Sequence, residues 1–177
     1  MKRRRAIIGA GLAGAIGIAF GGFFGLSDPL RDVEQQLVLT LLHAGVRVQM
    51  YGDHYFQVLP RSSGAFRAQL TPFCSSLVPV LALAAIAAFV LHGSVFRRTI
   101  AFGAAAAVIV VCNVLRVAGS VWIGLEVGAG GLVLFHDWIG TLFGIGYTML
   151  GFFLMLFLML PKATVSIPRA ARVSDVL

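Results

Sequence analysis

Three side chains in this sequence are of types that do chemistry and stand where such side chains are costly: Cys74, Arg116 and His136. Each lies inside or at the edge of a long apolar run, where an ionisable group calls for a partner or a task. A cysteine thiol is weak at its ordinary pKa of about 8.5 and becomes reactive when a base or a nearby cation favours the thiolate. His136 is of the type to act as that base and later to return a proton to a leaving amine. Arg116 supplies a fixed positive charge that can stabilise a tetrahedral oxyanion or orient a substrate. Together they suit nucleophilic acyl chemistry. Each also has a plainer reading: a buried cysteine is often a small inert hydrophobe, a histidine beside Asp137 and Trp138 suits a membrane interface, and an arginine can snorkel outward.

The elements that would position them are membrane helices. Of 177 residues, 59% are apolar and only 12% charged, a balance that excludes an ordinary soluble domain. The net charge of +7 invites a nucleic-acid partner. No basic patch interleaved with aromatic residues is present to bind one, so no nucleic acid is expected. Two cysteines, Cys74 and Cys112, are too few for a disulfide framework and lack metal-ligand spacing, so neither metal nor cofactor is expected. Four apolar stretches reach the roughly 20 residues a bilayer crossing needs. They run about 7–26, 73–96, 100–124 and 138–160. The fold class expected is an all-α membrane protein, residues 1–177 forming one polytopic domain of about four transmembrane helices. A small outer amphipathic helix and a β-containing cap complete it, formed by residues 27–72. The first stretch reads as a retained helix, because Phe20–Leu26 offers no small-x-small cleavage site. Its glycines (Gly9, Gly11, Gly14, Gly17, Gly21) are spaced for close helix packing.

Basic residues set the orientation. Lys2, Arg3, Arg4 and Arg5, then Arg97 and Arg98, then Lys162, Arg169 and Arg172 all fall on one side. In residues 27–72 the arginines Arg31, Arg47, Arg61 and Arg67 are balanced by Asp28, Asp32, Glu34 and Asp53. Both termini are therefore expected in the cytoplasm, with the protein in the plasma membrane. At about 1.5 Å per residue, Cys74, Arg116 and His136 lie roughly 34, 27 and 37 Å from the inner edge, one layer in the outer half. Spacing fixes their depth and leaves their rotation open.

In the outer segment, Asp28-Pro29 reads as a helix start. Leu30, Val33, Leu37, Leu41 and Ala44 follow at helical spacing up to Gly45, which predicts an amphipathic helix lying on the membrane surface. Val46, Val48 and Met50 alternate with polar residues as a strand, Gly52-Asp53 turns, and Tyr55–Val58 returns. A third extended piece, Ala65–Leu70, leads to Cys74.

The Phe73-Cys74-Ser75-Ser76 junction opening a helix, the Asn113-x-x-Arg116 pair and His136 opening the last helix resemble the exosortase/archaeosortase family. So does the Gly45-Val46-x-Val48 strand, and the resemblance spans about residues 38–160. It implies a membrane-embedded cysteine transpeptidase or protease that processes C-terminal sorting signals of exported proteins. Cys74, Arg116 and His136 would be catalytic, facing outward, with Asn113 a substrate-binding candidate. The chain departs from the family in Ser75-Ser76, where Ser-Gly is common, and in having one helix before the cysteine. The rival expectations are a non-enzymatic assembly factor or transporter subunit in which Arg116 pairs with a partner helix, and a thiol acyltransferase acting on lipid. Among the other polar residues, Cys112 reads as packing and His54 and Asp53 as surface. His43 and His92 fall at opposite ends of the membrane, and Glu126 and Asp137 are candidate orienters of His136.

Overall fold

The computed structural model describes residues 2–42, 47–52, 54–61, 64–89 and 94–160. The order is α1 (Lys2–Leu42), β1 (Val48–Met50), β2 (Tyr55–Val58), β3 (Phe66–Gln69), α2 (Leu77–Phe89), α3 (Val95–Val127), α4 (Ala129–Leu134), a π-helical turn (Phe135–Ile139) and α5 (Gly140–Met159). Ala44, Gly45, Val46, His43, Asp53, His92 and the basic tail after Leu160 fall outside the described residues.

Three helical stretches are long and apolar enough to cross a bilayer: Ala13–Leu42, Val95–Val127 and Ala129–Met159. This is a membrane protein by length and composition. Among the described residues the expected second crossing is helical only over α2, 13 residues. That is roughly 20 Å of helix against a hydrocarbon core of roughly 30 Å. The missing turn at its start is spent on residues 71–76, which form turns rather than helix. The Cys74 amide donates to the Thr71 carbonyl at 3.0 Å, and the Leu77 amide to the Ser75 hydroxyl at 3.3 Å. Cys74 therefore sits in the loop before α2 and not on the helix.

The helices alternate in direction. Gly14 of α1 lies against the Phe89 ring and Gly22 against Leu81, so α1 and α2 are antiparallel. At one end of the bundle two adjacent arginines close two helices. The Arg97 guanidinium donates to the Leu158 carbonyl at 2.9 Å and also to the Leu160 carbonyl, while Arg98 donates to the Ala87 and Ala88 carbonyls at 3.4 and 3.2 Å. Carbonyls at a helix C-terminus lack intrahelical donors and carry partial negative charge, which cationic side chains satisfy. The start of α3 and the ends of α2 and α5 are thus held together at this basic end. Only part of the glycine face expected on α1 is used. A Cβ at Gly14 would stand 2.5 Å from the Phe89 ring, whereas Gly11, Gly17 and Gly21 meet nothing within 4 Å.

The surface helix expected after Asp28 does not exist as a separate element. Helix α1 runs unbroken through Pro29 to Leu42. Its buried face is polar: Arg31, Glu34, Gln35 and Val38 point inward at helical spacing, while Val33, Leu37 and Leu41 are exposed. The physical reason is the solvent. Lipid accepts the apolar side, and the polar side must find partners inside the protein.

Some of those partners come from the sheet and from the segment that follows it. Strands β1, β2 and β3 form an antiparallel sheet in that order, with Val48 opposite Val58 and Phe56 opposite Ala68. Left-handed backbone at Gly52 and His54 turns the chain between β1 and β2. Val48, Phe56, Val58 and Leu70 pack on Val38 of α1 and on Val114, Val117 and Val121 of α3. A second apolar cluster, Leu83, Ala87, Ala101, Ala105, Ile109, Tyr147 and Met155, fills the basic end. At Gly151 the backbones of α5 and α3 approach so closely that a Cβ would lie 2.9 Å from Ile109. Because Ile109 is fully buried there, Ile109→Ala should cost about 2–5 kcal/mol of stability. Unfolding of the purified protein in detergent micelles measures this.

Candidate active site

Between the two apolar clusters lies a layer of buried polar groups contributed by α1, the Cys74 loop, α3 and α5. Its centre is Asn113, fully buried on α3. The Asn113 amide donates to Glu34 Oε1 at 3.1 Å and to the Cys74 carbonyl at 3.0 Å. Its Oδ1 accepts from the Tyr147 hydroxyl at 2.9 Å and from Arg116 Nη1 at 3.4 Å. Every donor and acceptor of the side chain is thereby used, which is what a buried amide requires. Arg116, three residues further along α3, falls on the same face by helical geometry.

The second terminal nitrogen of Arg116 meets His136 Nε2 at 3.4 Å. His136 reaches this point from the π-helical turn, where the Gly140 amide bonds back five residues to the Phe135 carbonyl. Such a turn adds one residue to the helix and offsets the faces before and after it by about 100°. The expectation that His136 opens the last helix is corrected: α4 and the π turn carry the helical path well before it. Close by, a Cβ at Gly140 would stand 2.8 Å from Arg116 Nε, so only glycine lets the guanidinium lie against α5. Asp137 Oδ1 lies 3.6 Å from His136 Nδ1, whereas Glu126 lies 3.5 Å from Arg61. Of the two orienters expected for His136, only Asp137 stands beside it.

Cys74 enters the layer through its backbone. Its carbonyl is held by Asn113, and the Ser76 amide two residues on donates to Glu34 Oε1 at 3.0 Å. The thiol itself is 3.1 Å from the Thr71 hydroxyl and packs beside the sheet cluster. Among the described residues it makes no hydrogen bond to Arg116 or His136. Cys112 is also a free thiol but packs in the basic-end cluster, as its packing role predicts.

A cavity of about 590 Å³ opens between α2 and α5, with Arg116 in its lining. Phe73, Ser75, Val78, Pro79 and Ala82 form one wall, and Gly140, Thr141, Gly144, Tyr147 and Thr148 form the other. Phe73, 82% exposed, stands at its edge. The residues flanking Cys74 line this groove, and Cys74 lies just behind them.

Sequence reasoning passed over Glu34, Gln35, Arg31 and Tyr147. Gln35 donates to the Tyr55 carbonyl at 2.9 Å and Arg31 to the Leu70 carbonyl at 3.3 Å, which ties α1 to the sheet and to the strand leading to Cys74. A signal was available: Arg31, Glu34, Gln35 and Val38 repeat at helical spacing. Tyr147, the one tyrosine in the last apolar stretch, carried another. His54 is also misplaced by the sequence reading. It is buried against α1, with Asp32 Oδ1 3.2 Å from Nδ1 and Asp28 Oδ1 3.7 Å from Nε2.

No family model matches the chain, and neither does any curated protein or solved structure.

Asn113→Ala takes the partner of the Cys74 carbonyl and of the Tyr147 hydroxyl, and one of the two partners of Glu34 Oε1 and of the Arg116 guanidinium. At about 1–3 kcal/mol for each buried polar group left unsatisfied, it should destabilise the protein at least as much as the Ile109 truncation. The two melting temperatures in the same detergent compare them.

Proposed function

We propose that this chain is a cysteine transpeptidase or protease of the exosortase/archaeosortase kind. It cleaves C-terminal sorting signals of exported proteins at the outer face of the cytoplasmic membrane. The observation that carries this reading is the continuous hydrogen-bonded path from the Cys74 carbonyl through Asn113 to Arg116 and His136, beside a groove open between two helices. That path joins the Cys74 backbone to the Arg116 and His136 side chains, three residues far apart in sequence, and so supports the reading.

In this reading the chain crosses the membrane four times with both termini inside, α2 being the second crossing. Alternating helix directions and the gathering of Arg97 and Arg98 with the ends of α2 and α5 support it. The substrate's terminal helix enters sideways between α2 and α5, along the groove that Thr141 and Gly144 line. Its outer junction then lies level with Cys74. The thiol leaves Thr71, turns to the groove that Phe73 and Ser75 line, and gives its proton to His136. The sulfur attacks the peptide carbonyl, and Arg116 stabilises the oxyanion of the tetrahedral intermediate. As that intermediate collapses, the C–N bond breaks and His136 returns the proton to the departing amine. A thioester remains on Cys74, and water or an acceptor amine resolves it.

One observation favours the rival, a non-enzymatic membrane subunit: the thiol rests on Thr71 and not on His136. The two readings part on substitution of the sulfur. With a co-expressed exported protein that ends in an apolar helix and a basic tail, only the wild-type chain should release the terminal segment. Cys74→Ala and Cys74→Ser should leave it full length on an immunoblot. Equal processing by all three would remove Cys74 from the mechanism.

A further inference from the structure

Arg116 carries a charge into the interior of a membrane protein, and no carboxylate among the described residues lies within ion-pair distance of it. A guanidinium stays charged in any protein environment, so a compensating anion must be near. The same layer holds one candidate. Glu34, on α1, is fully buried, and its Oε2 has no hydrogen-bond partner among the described residues. Its Oε1 accepts from the Asn113 amide at 3.1 Å, and the Asn113 carbonyl oxygen accepts from Arg116 at 3.4 Å. One amide thus stands between a buried anion and a half-buried cation, oriented so that its dipole favours both. Glu34 Oε1 also accepts from the Ser76 amide at 3.0 Å, two residues beyond Cys74.

We propose that Glu34 is the counter-charge of Arg116, relayed by Asn113, and a positioning residue for the Cys74 loop. Helix α1 is then part of the site and not merely an anchor. With its carboxylate at the junction of α1, the loop and α3, Glu34 sets the Cys74 backbone and the Arg116 guanidinium relative to each other. The consequence for catalysis rests on the peptidase reading; the charge pairing does not.

A melting cycle tests the pairing without any substrate. Purified wild-type, Glu34→Gln, Arg116→Gln and doubly substituted chains are melted in the same detergent. Glutamine keeps the acceptor oxygen that Ser76 and Asn113 use, so a purely hydrogen-bonding role predicts little change for Glu34→Gln in either background. Charge pairing predicts that each single substitution lowers Tm and that the double variant melts at or above Arg116→Gln alone. Losses that simply add, or an unchanged Glu34→Gln, would overturn the pairing. Should Glu34→Gln fail to reach the membrane, pairing requires the double variant to regain its membrane yield, and continued failure overturns it too. The positioning role is read separately, from processing of the co-expressed substrate. Where processing depends on Cys74, Glu34→Gln should slow it about ten-fold or more, and wild-type processing by that variant overturns positioning. Where processing does not depend on Cys74, the peptidase reading and the positioning role fall, and the melting cycle alone decides the pairing.

Discussion

A guanidinium set among apolar helices needs hydrogen bonds and a compensating charge close at hand. Arg116 must find its hydrogen bonds and its compensating charge within the protein, and much of the architecture around it follows from that need. Asn113 supplies an oxygen, His136 a ring nitrogen, and Gly140 the space that any other residue would fill. Asn113 in turn needs acceptors for its own amide, which Glu34 and the Cys74 carbonyl provide. The polar layer links its members one to the next, so removing one takes partners from others and loosens the relation of four chain segments.

Helix α1 shows how the bilayer reverses ordinary amphipathic logic. In water, Val33, Leu37 and Leu41 would seek a protein core and Arg31, Glu34 and Gln35 would face solvent. Here the apolar residues are exposed and the polar ones buried. The polar face is spent on specific partners: Arg31 on the Leu70 carbonyl, Gln35 on the Tyr55 carbonyl, Glu34 on the Ser76 amide. Each bond fixes part of the sheet or the loop that bears Cys74. The same interior face thus serves as scaffold for the cap and as a wall of the site.

The two ends of the bundle are built differently. At the basic end, Arg97 and Arg98 close the carbonyl termini of α5 and α2, so residues that read in sequence as orientation signals also act as caps. At the other end the sheet covers α3 with Val48, Phe56 and Val58. Between them the groove separating α2 from α5 is left open beside Arg116, which makes the polar layer reachable from the side.

The sequence by itself determined the membrane class, the long apolar helices, three short strands and the common depth of Cys74, Arg116 and His136. All of these depend on local composition and on rise per residue, which a linear reading measures directly. The span count was less secure, because the turn at residues 71–76 takes a piece of the second apolar stretch that hydropathy alone assigns to helix. Only the tertiary structure decided rotation. It turned the polar face of α1 inward, placed Glu34 and Tyr147 around Asn113, moved His54 off the surface, and set the Cys74 thiol against Thr71. Rotation depends on which neighbours a face meets, and those neighbours lie tens of residues away along the chain.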